Sequence, residues 1–196
     1  MDRENTVGGG KLVNKIDFFK GFSGRLVSLT NLATNGNFAS TSNWTSNGAS
    51  FAVSGNEASY TANSAGDRLS QSLSVTLNRK YYGCGWVKAA SGANITMGIS
   101  DGAVNSVSTS YTGAGAYEFW SVILTAGRTS TGGITWAIVD NRSSAWTVVN
   151  TKYISVIDIT TPWGSGNEPT KAQMDTLMLQ FPERWLNGTQ NAVYNW

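Results

Sequence analysis

The residue types that carry most enzymatic chemistry are thin in this chain. None of its 196 residues is histidine. That removes Ser-His-Asp and Cys-His catalysis, histidine metal sites and the commonest general base together. The one cysteine, Cys84, stands between Gly83 and Gly85 in a run that reads as a strand. With no histidine to activate it, it is expected to be a buried structural thiol. The twelve carboxylates are scattered, and no two stand in a setting that marks the paired acids of glycoside hydrolysis. No phosphate-binding loop, dinucleotide glycine fingerprint or zinc-ligand spacing occurs. No catalytic residue is assigned, no cofactor is indicated, and the chain reads as a non-enzyme.

Aromatic side chains remain. Trp44, Tyr60, Tyr111, Tyr117, Trp120, Trp136 and Trp146 fall in or beside segments that read as sheet. Sugars present patches of C–H that lie flat on such rings, while Asn, Gln, Asp and Arg reach their hydroxyls. Most of these rings must fill the core of a domain this size. Trp44 and Trp146 differ: they stand in the polar runs Ser42-Asn43-Trp44-Thr45 and Ser143-Ser144-Ala145-Trp146-Thr147. They are expected to be exposed, with Asn141 and Arg142 as nearby donors, and these four residues form the candidate carbohydrate-binding set. Charged residues make up 13% of the chain and the net charge is only +2. No basic patch stands out, so nucleic acid is not an expected partner.

The elements that must position these residues are strands. Between 31 and 160, runs rich in β-branched and aromatic residues alternate with Gly/Asn/Ser clusters. The candidate strands are Ser50–Val53, Glu57–Thr61, Arg68–Val75, Lys80–Lys88, Ile95–Ser100, Val104–Tyr111, Glu118–Leu124, Ile134–Asp140 and Lys152–Ile159. Leu69, Leu73, Val75 and Leu77 share one parity, which marks a strand half buried in an antiparallel sheet. Tyr82, Cys84 and Trp86 share one face of the next run, with Gly83 and Gly85 on the other, as suits a sheet packed tightly against a neighbour. Nothing between the runs is amphipathic at the helical period, so no parallel βαβ reading fits. The spacing predicts an all-β antiparallel sandwich or jelly roll.

The ends differ in composition. In residues 1–30, Gly8-Gly9-Gly10 is a flexible joint, and Leu12, Ile16 and Phe19 recur at i, i+4, i+7. That is a short arm suited to docking. In residues 161–196, Trp163 to Pro169 is a turn segment. Thr170 and Gln173 then fit a capping box, and Pro169 with Met174 a hydrophobic staple. Met174, Leu177, Met178 and Phe181 make one apolar stripe, which must be buried on the sandwich or on a partner, and Pro182 stops the helix. Trp185 and Trp196 in the tail are costly residues to leave in water. Together with the arm and the helix stripe, they are the candidate assembly contacts. No run is long and apolar enough to span a bilayer.

Two stretches carry a family resemblance. Asn31-Leu32-Ala33-Thr34-Asn35-Gly36-Asn37-Phe38, followed by Trp44, resembles the opening of carbohydrate-binding-module jelly rolls. The runs Leu69–Leu73, Tyr81–Lys88, Tyr117–Trp120 and Ile154–Ile159 follow in the order those modules use, over about residues 31–160. The resemblance implies a structural calcium near Asn35, Asn37 and Asp158. Asn37 stands where many members carry an acid, which leaves fewer anionic oxygens for the ion. The second stretch, Ile157-Asp158-Ile159-Thr160 through Trp163-Gly164-Ser165-Gly166-Asn167-Glu168-Pro169-Thr170 and on through Phe181, looks like an ending associated with virion structural proteins of tailed bacteriophages. Read without that resemblance, it is a turn and a helix cap, with Glu168 placed to bridge to the sandwich.

The resemblance implies a non-enzymatic tail, baseplate or fibre component, made in the host cytoplasm without a signal peptide and resident in the virion. Its implied partners are other virion proteins, further copies of itself and a host cell-wall or capsular glycan. Two alternatives stand beside it: a purely structural capsid decoration or fibre protein that binds no sugar, and a stand-alone carbohydrate-binding module of a hydrolase system.

Overall fold

The computed structural model describes residues 24–196 apart from 49, 63, 65 and 141–147, and for 136–140 it describes the backbone alone. All nine expected strands are present, with ends shifted by at most four residues: β3 (Ser50–Ser54), β4 (Glu57–Thr61), β5 (Arg68–Val75), β6 (Lys80–Ala89), β7 (Asn94–Ser100), β8 (Ser106–Thr112), β9 (Glu118–Thr125), β10 (Ser130–Asp140) and β11 (Val148–Asp158). Three strands were not legible as such: β1 (Arg25–Thr30), β2 (Thr45–Ser46) and β12 (Thr189–Tyr194). Two helices follow β11: the single turn α1 (Thr160–Trp163) and α2 (Lys171–Met178).

The strands form two five-stranded antiparallel sheets, ordered β2-β5-β10-β7-β8 and β3-β4-β11-β6-β9. Strict alternation in β5 sends Leu69, Gln71, Leu73 and Val75 inward and Arg68, Ser72 and Ser74 to solvent, as the pleat requires. The core between the sheets is built from Leu69, Ile95, Met97, Ile99, Trp120, Val122, Ile154 and Val156. Trp120, wholly buried, lies on β9 opposite Gly85 of β6. A Cβ at Gly85 would sit 2.9 Å from the Trp120 Nε1 and 2.6 Å from the Ile154 Cδ1. The glycine is therefore the space the largest core residue occupies, which is the tight packing its parity predicts.

The opposite face of β6 meets a third layer. Tyr82, Cys84, Ile157 and Ile159 pack with Met174, Leu177, Met178 and Phe181, and with Val27, Leu29 and Ala192 of the β1–β12 pair. α2 starts as its sequence predicts. Thr170 Oγ1 accepts from the Gln173 N–H, and the Gln173 side chain accepts from the Thr170 N–H at 2.8 Å. The helix stripe covers this chain's own sheet, so Met174, Leu177, Met178 and Phe181 offer no surface for assembly. Burying each stabilises the fold by roughly 1.5–3 kcal/mol. Residues 25–30, read as the end of an arm, instead form β1: Val27 and Leu29 point in, while Leu26, Ser28 and Thr30 point out. β1 pairs antiparallel with β12, from Arg25↔Tyr194 to Thr30↔Thr189. The candidate arm contacts Leu12, Ile16 and Phe19 lie outside the described residues. No helix among the described residues is long and apolar enough to cross a membrane.

Cys84 is fully buried. Burial pushes its thiol up to about 12. We therefore expect it to stay unmodified by a disulfide reagent under native conditions and to react at once in denaturant. Rapid native labelling would refute the structural role.

Candidate functional site

The opening motif proves to be a clasp. Asn31 Oδ1 accepts from the N–H groups of Ala33 and Val156, and its Nδ2 donates to the carbonyls of Ile154 and Leu186. One amide thus ties the opening loop to β11 and to the C-terminal segment. Gly36 is packed so closely on β11 that a Cβ would clash with the Ile154 carbonyl, and its own carbonyl accepts from the Ile154 N–H at 2.8 Å. From the other sheet, buried Gln71 accepts from the Thr34 N–H and donates to the carbonyls of Thr34 and Asn43.

Trp44, expected to be exposed, is not. It is 7% exposed, stacks at 4.8 Å on the buried Phe38 ring and donates its indole N–H to the Asn35 carbonyl. Asn35, Phe38 and Asn43 all have positive φ, so the polar loop coils tightly and folds the indole inward. Its polar neighbours remain outside; Trp44 is a core residue and cannot serve as a sugar platform. Trp146, Asn141 and Arg142 lie outside the described residues.

The calcium reading does not fit the geometry. Asp158 Oδ1 accepts from the Thr160 and Thr161 N–H groups, and its Oδ2 from Arg79 and the Thr161 hydroxyl, both at 2.7 Å. A guanidinium in contact repels a cation. The Asn35 amide is committed to Ala39, Ser40 and Ser42. Gly36, between Asn35 and Asn37, meets β11 at Ile154, four residues from Asp158, or roughly 13 Å along a strand. Asn35, Asn37 and Asp158 are therefore not gathered into one shell, and no cluster of three or more Asp, Glu or Cys occurs among the described residues.

Glu168 does bridge to the sandwich. Its side chain is 2% exposed. It accepts from the Thr160 hydroxyl at 2.9 Å, from the Gly166 N–H at 2.9 Å and from Lys80 Nζ, at the start of β6, at 3.2 Å. Burial alone would raise its carboxyl; these donors outweigh burial and hold it at about 2. Asp101 is built alike in the β7–β8 turn. It is wholly buried and accepts from the N–H groups of Ala103, Val104, Asn105 and Gly127, which outweigh burial and hold it at about 2. A carboxyl held this low stays ionised and is ill suited to proton donation.

What the sequence did not reveal is which sheet face is left uncovered among the described residues. The outer face of β3-β4-β11-β6-β9 carries α2 and the β1–β12 pair. The outer face of β2-β5-β10-β7-β8 carries no element among the described residues. It is lined by hydroxyls: Ser72 and Ser74 on β5, and Ser106, Ser108, Ser110 and Thr112 on β8, all exposed. Between them run Thr96 and Ser100 on β7, with Thr96 bonded to Ser110 at 3.2 Å. Position 136, a tryptophan, sits in register between Ser70 of β5 and Gly98 of β7. That row is the outward one on β5, because Leu69 and Gln71 on either side of Ser70 are buried. The signal was present as serine at every second position of β5 and β8.

Three further aromatics, Tyr117 and Trp185 half-buried and Trp196 exposed, lie on the other side of the sandwich. Tyr117 receives Lys88 and Lys152 over its ring, at 4.8 and 4.5 Å. Trp185 stacks at 5.8 Å on Tyr153 and walls a cleft of about 270 Å³ against Asn35 and Asn37. Trp196 is 41% exposed.

By sequence, the chain matches no protein-family model and no curated protein. By structure it is similar to a CBM4 module, at TM-score 0.51 and 8% identity over 61% of this chain and 96% of that one. It is also similar to TmCBM61, solved in complex with β-1,4-galactotriose, at 0.46 and 18% identity over 65% and 98%. A third similar structure is the enzymatically active domain of tailspike protein 4 of bacteriophage CBA120, at 0.47 and 12% identity over 65% of this chain and 21% of that one. At these identities the likeness is one of fold: the chain is an antiparallel jelly-roll sandwich of the carbohydrate-binding-module type, with one short C-terminal helix.

Proposed function

We propose that this chain is a non-catalytic glycan-binding component of a bacteriophage particle, which attaches the particle to a polysaccharide of the host surface. The observation that carries the glycan half is the hydroxyl-lined outer face of β2-β5-β10-β7-β8, uncovered among the described residues, with position 136 in register in its middle row. Serine and threonine hydroxyls exchange hydrogen bonds with sugar hydroxyls at little desolvation cost, and a tryptophan at a register position between them is the residue type that offers an apolar surface to the C–H face of a sugar ring. Few charges border the face, which suits a neutral polymer. The particle half is supported by the resemblance of residues 157–170 to the phage ending and by what that segment does, which is to lock a helical layer onto the sheet opposite the bare face. Such contacts are weak singly, and display in many copies raises their avidity by roughly 10²–10⁴-fold.

The full chain clustered on beads and presented to an array of polysaccharides should bind a neutral glycan. Trp136→Ala should weaken that binding at least about tenfold, a loss of about 1.4 kcal/mol, in protein whose far-ultraviolet circular dichroism matches that of the parent chain. Antibody to the chain should label the tail of the particle whose genome encodes it. The burial of Trp44 favours a second reading, a structural particle protein that binds no sugar. Tail labelling with no binding anywhere on the array would establish that reading over the first.

A further inference from the structure

The segment 158–170 does more than lock down α2. Glu168, Thr160 and Thr170 do the locking; Trp163 and Asn167 from the same segment line an open pocket of about 380 Å³. Its other walls are Arg25 at the start of β1, Tyr194 at the end of β12, and Trp196. The volume lies within the range of small-molecule sites, roughly 300–1,000 Å³. The three aromatic rings form a continuous wall. Trp163 and Tyr194 meet edge to face at 5.4 Å, and Tyr194 and Trp196 are tilted by 43° at 5.2 Å. The outermost, Trp196, is 41% exposed.

Two polar groups of the lining residues have no side-chain partner among the described residues, one sealed behind the wall and one open to solvent. The Trp163 indole N–H is buried and has no acceptor among the described residues. A buried donor left unpaired is costly, and structures rarely carry one without a reason. Arg25 is exposed and makes no ion pair among the described residues. A guanidinium in that state is a ready bidentate partner for a carboxylate.

We propose that this pocket is a saccharide site that takes one acidic sugar residue, a hexuronate. The C–H face of the ring lies on Tyr194 and Trp196, the carboxylate pairs with Arg25, and hydroxyls exchange with the Asn167 amide. Stacked rings with an arginine would also suit a nucleobase. A nucleic-acid strand, however, needs a groove of several cations along its backbone, and this pocket offers one. The site belongs to the β1–β12 layer, on the side of the sandwich opposite the bare sheet face, so it stands or falls separately from the reading proposed above.

The test is titration of the ¹⁵N-labelled full chain, following the indole N–H resonances of Trp163 and Trp196, with tri-galacturonate, with neutral β-1,4-galactotriose and with oligothymidylate. Tri-galacturonate should shift both resonances saturably, and galactotriose should shift them much less. Arg25→Gln should weaken tri-galacturonate about tenfold, or about 1.4 kcal/mol. Trp196→Ala should abolish saturation while leaving the melting temperature little changed, since that ring is 41% exposed and its ring contact is with Tyr194. The proposal is overturned by no saturable shift with tri-galacturonate, by equal binding of galactotriose with indifference to Arg25→Gln, or by preferential binding of oligothymidylate. Loss of tri-galacturonate binding in Trp136→Ala but not in Trp196→Ala would move the sugar to the bare sheet, overturning the pocket and leaving the glycan reading in place.

Discussion

Asn31→Ala is expected to lower the unfolding free energy by about 3 kcal/mol, among the largest effects of any single polar substitution in the chain. The side chain makes four hydrogen bonds, two as acceptor from Ala33 and Val156 and two as donor to Ile154 and Leu186. Truncation strands four backbone groups at once. Each is worth roughly 1 kcal/mol when its partner is lost, and water can recover part of that at a half-buried site. The loss is more than local, because these partners belong to the opening loop, to β11 and to the segment entering β12. The third layer should therefore loosen with the loop. Urea denaturation should show a lower midpoint, and native-state hydrogen exchange should show faster exchange in β1 and β12 than in β5. Asn37→Ala, in the same motif but with no side-chain bond of its own among the described residues, should change stability by under about 0.5 kcal/mol. Equal stability of Asn31→Ala and the parent protein would show that the clasp is dispensable.

The second large effect is acid lability. Glu168 and Asp101 are both held at about 2 in the folded protein, against 4.5 and 3.8 for the free groups. A carboxyl whose folded value is depressed contributes stability above its unfolded value and loses it as pH falls toward the folded one. The window for Glu168 is therefore about pH 4.5 down to 2, and for Asp101 about 3.8 down to 2. Glu168 should withdraw on the order of 3 kcal/mol across its window and Asp101 on the order of 2 kcal/mol. Asp175, bonded to Tyr82 at 2.7 Å and to Lys171 at 2.8 Å, is lowered too and adds in the same direction. Stability measured by urea titration should be level from pH 7 to about 5 and then fall steeply. Glu168→Gln should cost about 3 kcal/mol at pH 7 and almost nothing near pH 2, so that the two curves converge in acid. Parallel curves would mean that Glu168 stabilises the fold by packing alone.

How far the sequence could be read depended on the range of the interaction. Serine and leucine alternating through Arg68–Val75 specify a half-buried strand whatever surrounds it, because the pleat has a period of two. Thr170 and Gln173 specify the start of α2 because the bonds they make span three residues. The carboxylate of Glu168 could be expected to reach the sandwich, although its partner Lys80, 88 residues away, could not be named. Trp44 failed for an instructive reason. Its neighbours are polar, yet a backbone with positive φ at Asn35, Phe38 and Asn43 turns the ring one way and those neighbours the other, and flanking polarity carries no record of that choice.

The sequence by itself determined that this protein is a sandwich of short antiparallel strands ending in one capped helix, since periodicity, turn chemistry and capping act between residues near one another in the chain. Only the tertiary structure decided that Arg25–Thr30 and Thr189–Tyr194 zip together, that the helical stripe covers its own sheet, and that, among the described residues, a hydroxyl-lined face and an aromatic pocket stay open. Those outcomes depend on pairings across more than a hundred residues, whose closure entropy grows only slowly with separation. Many such pairings were therefore open to the chain, and side-chain fit in the assembled layers selected among them.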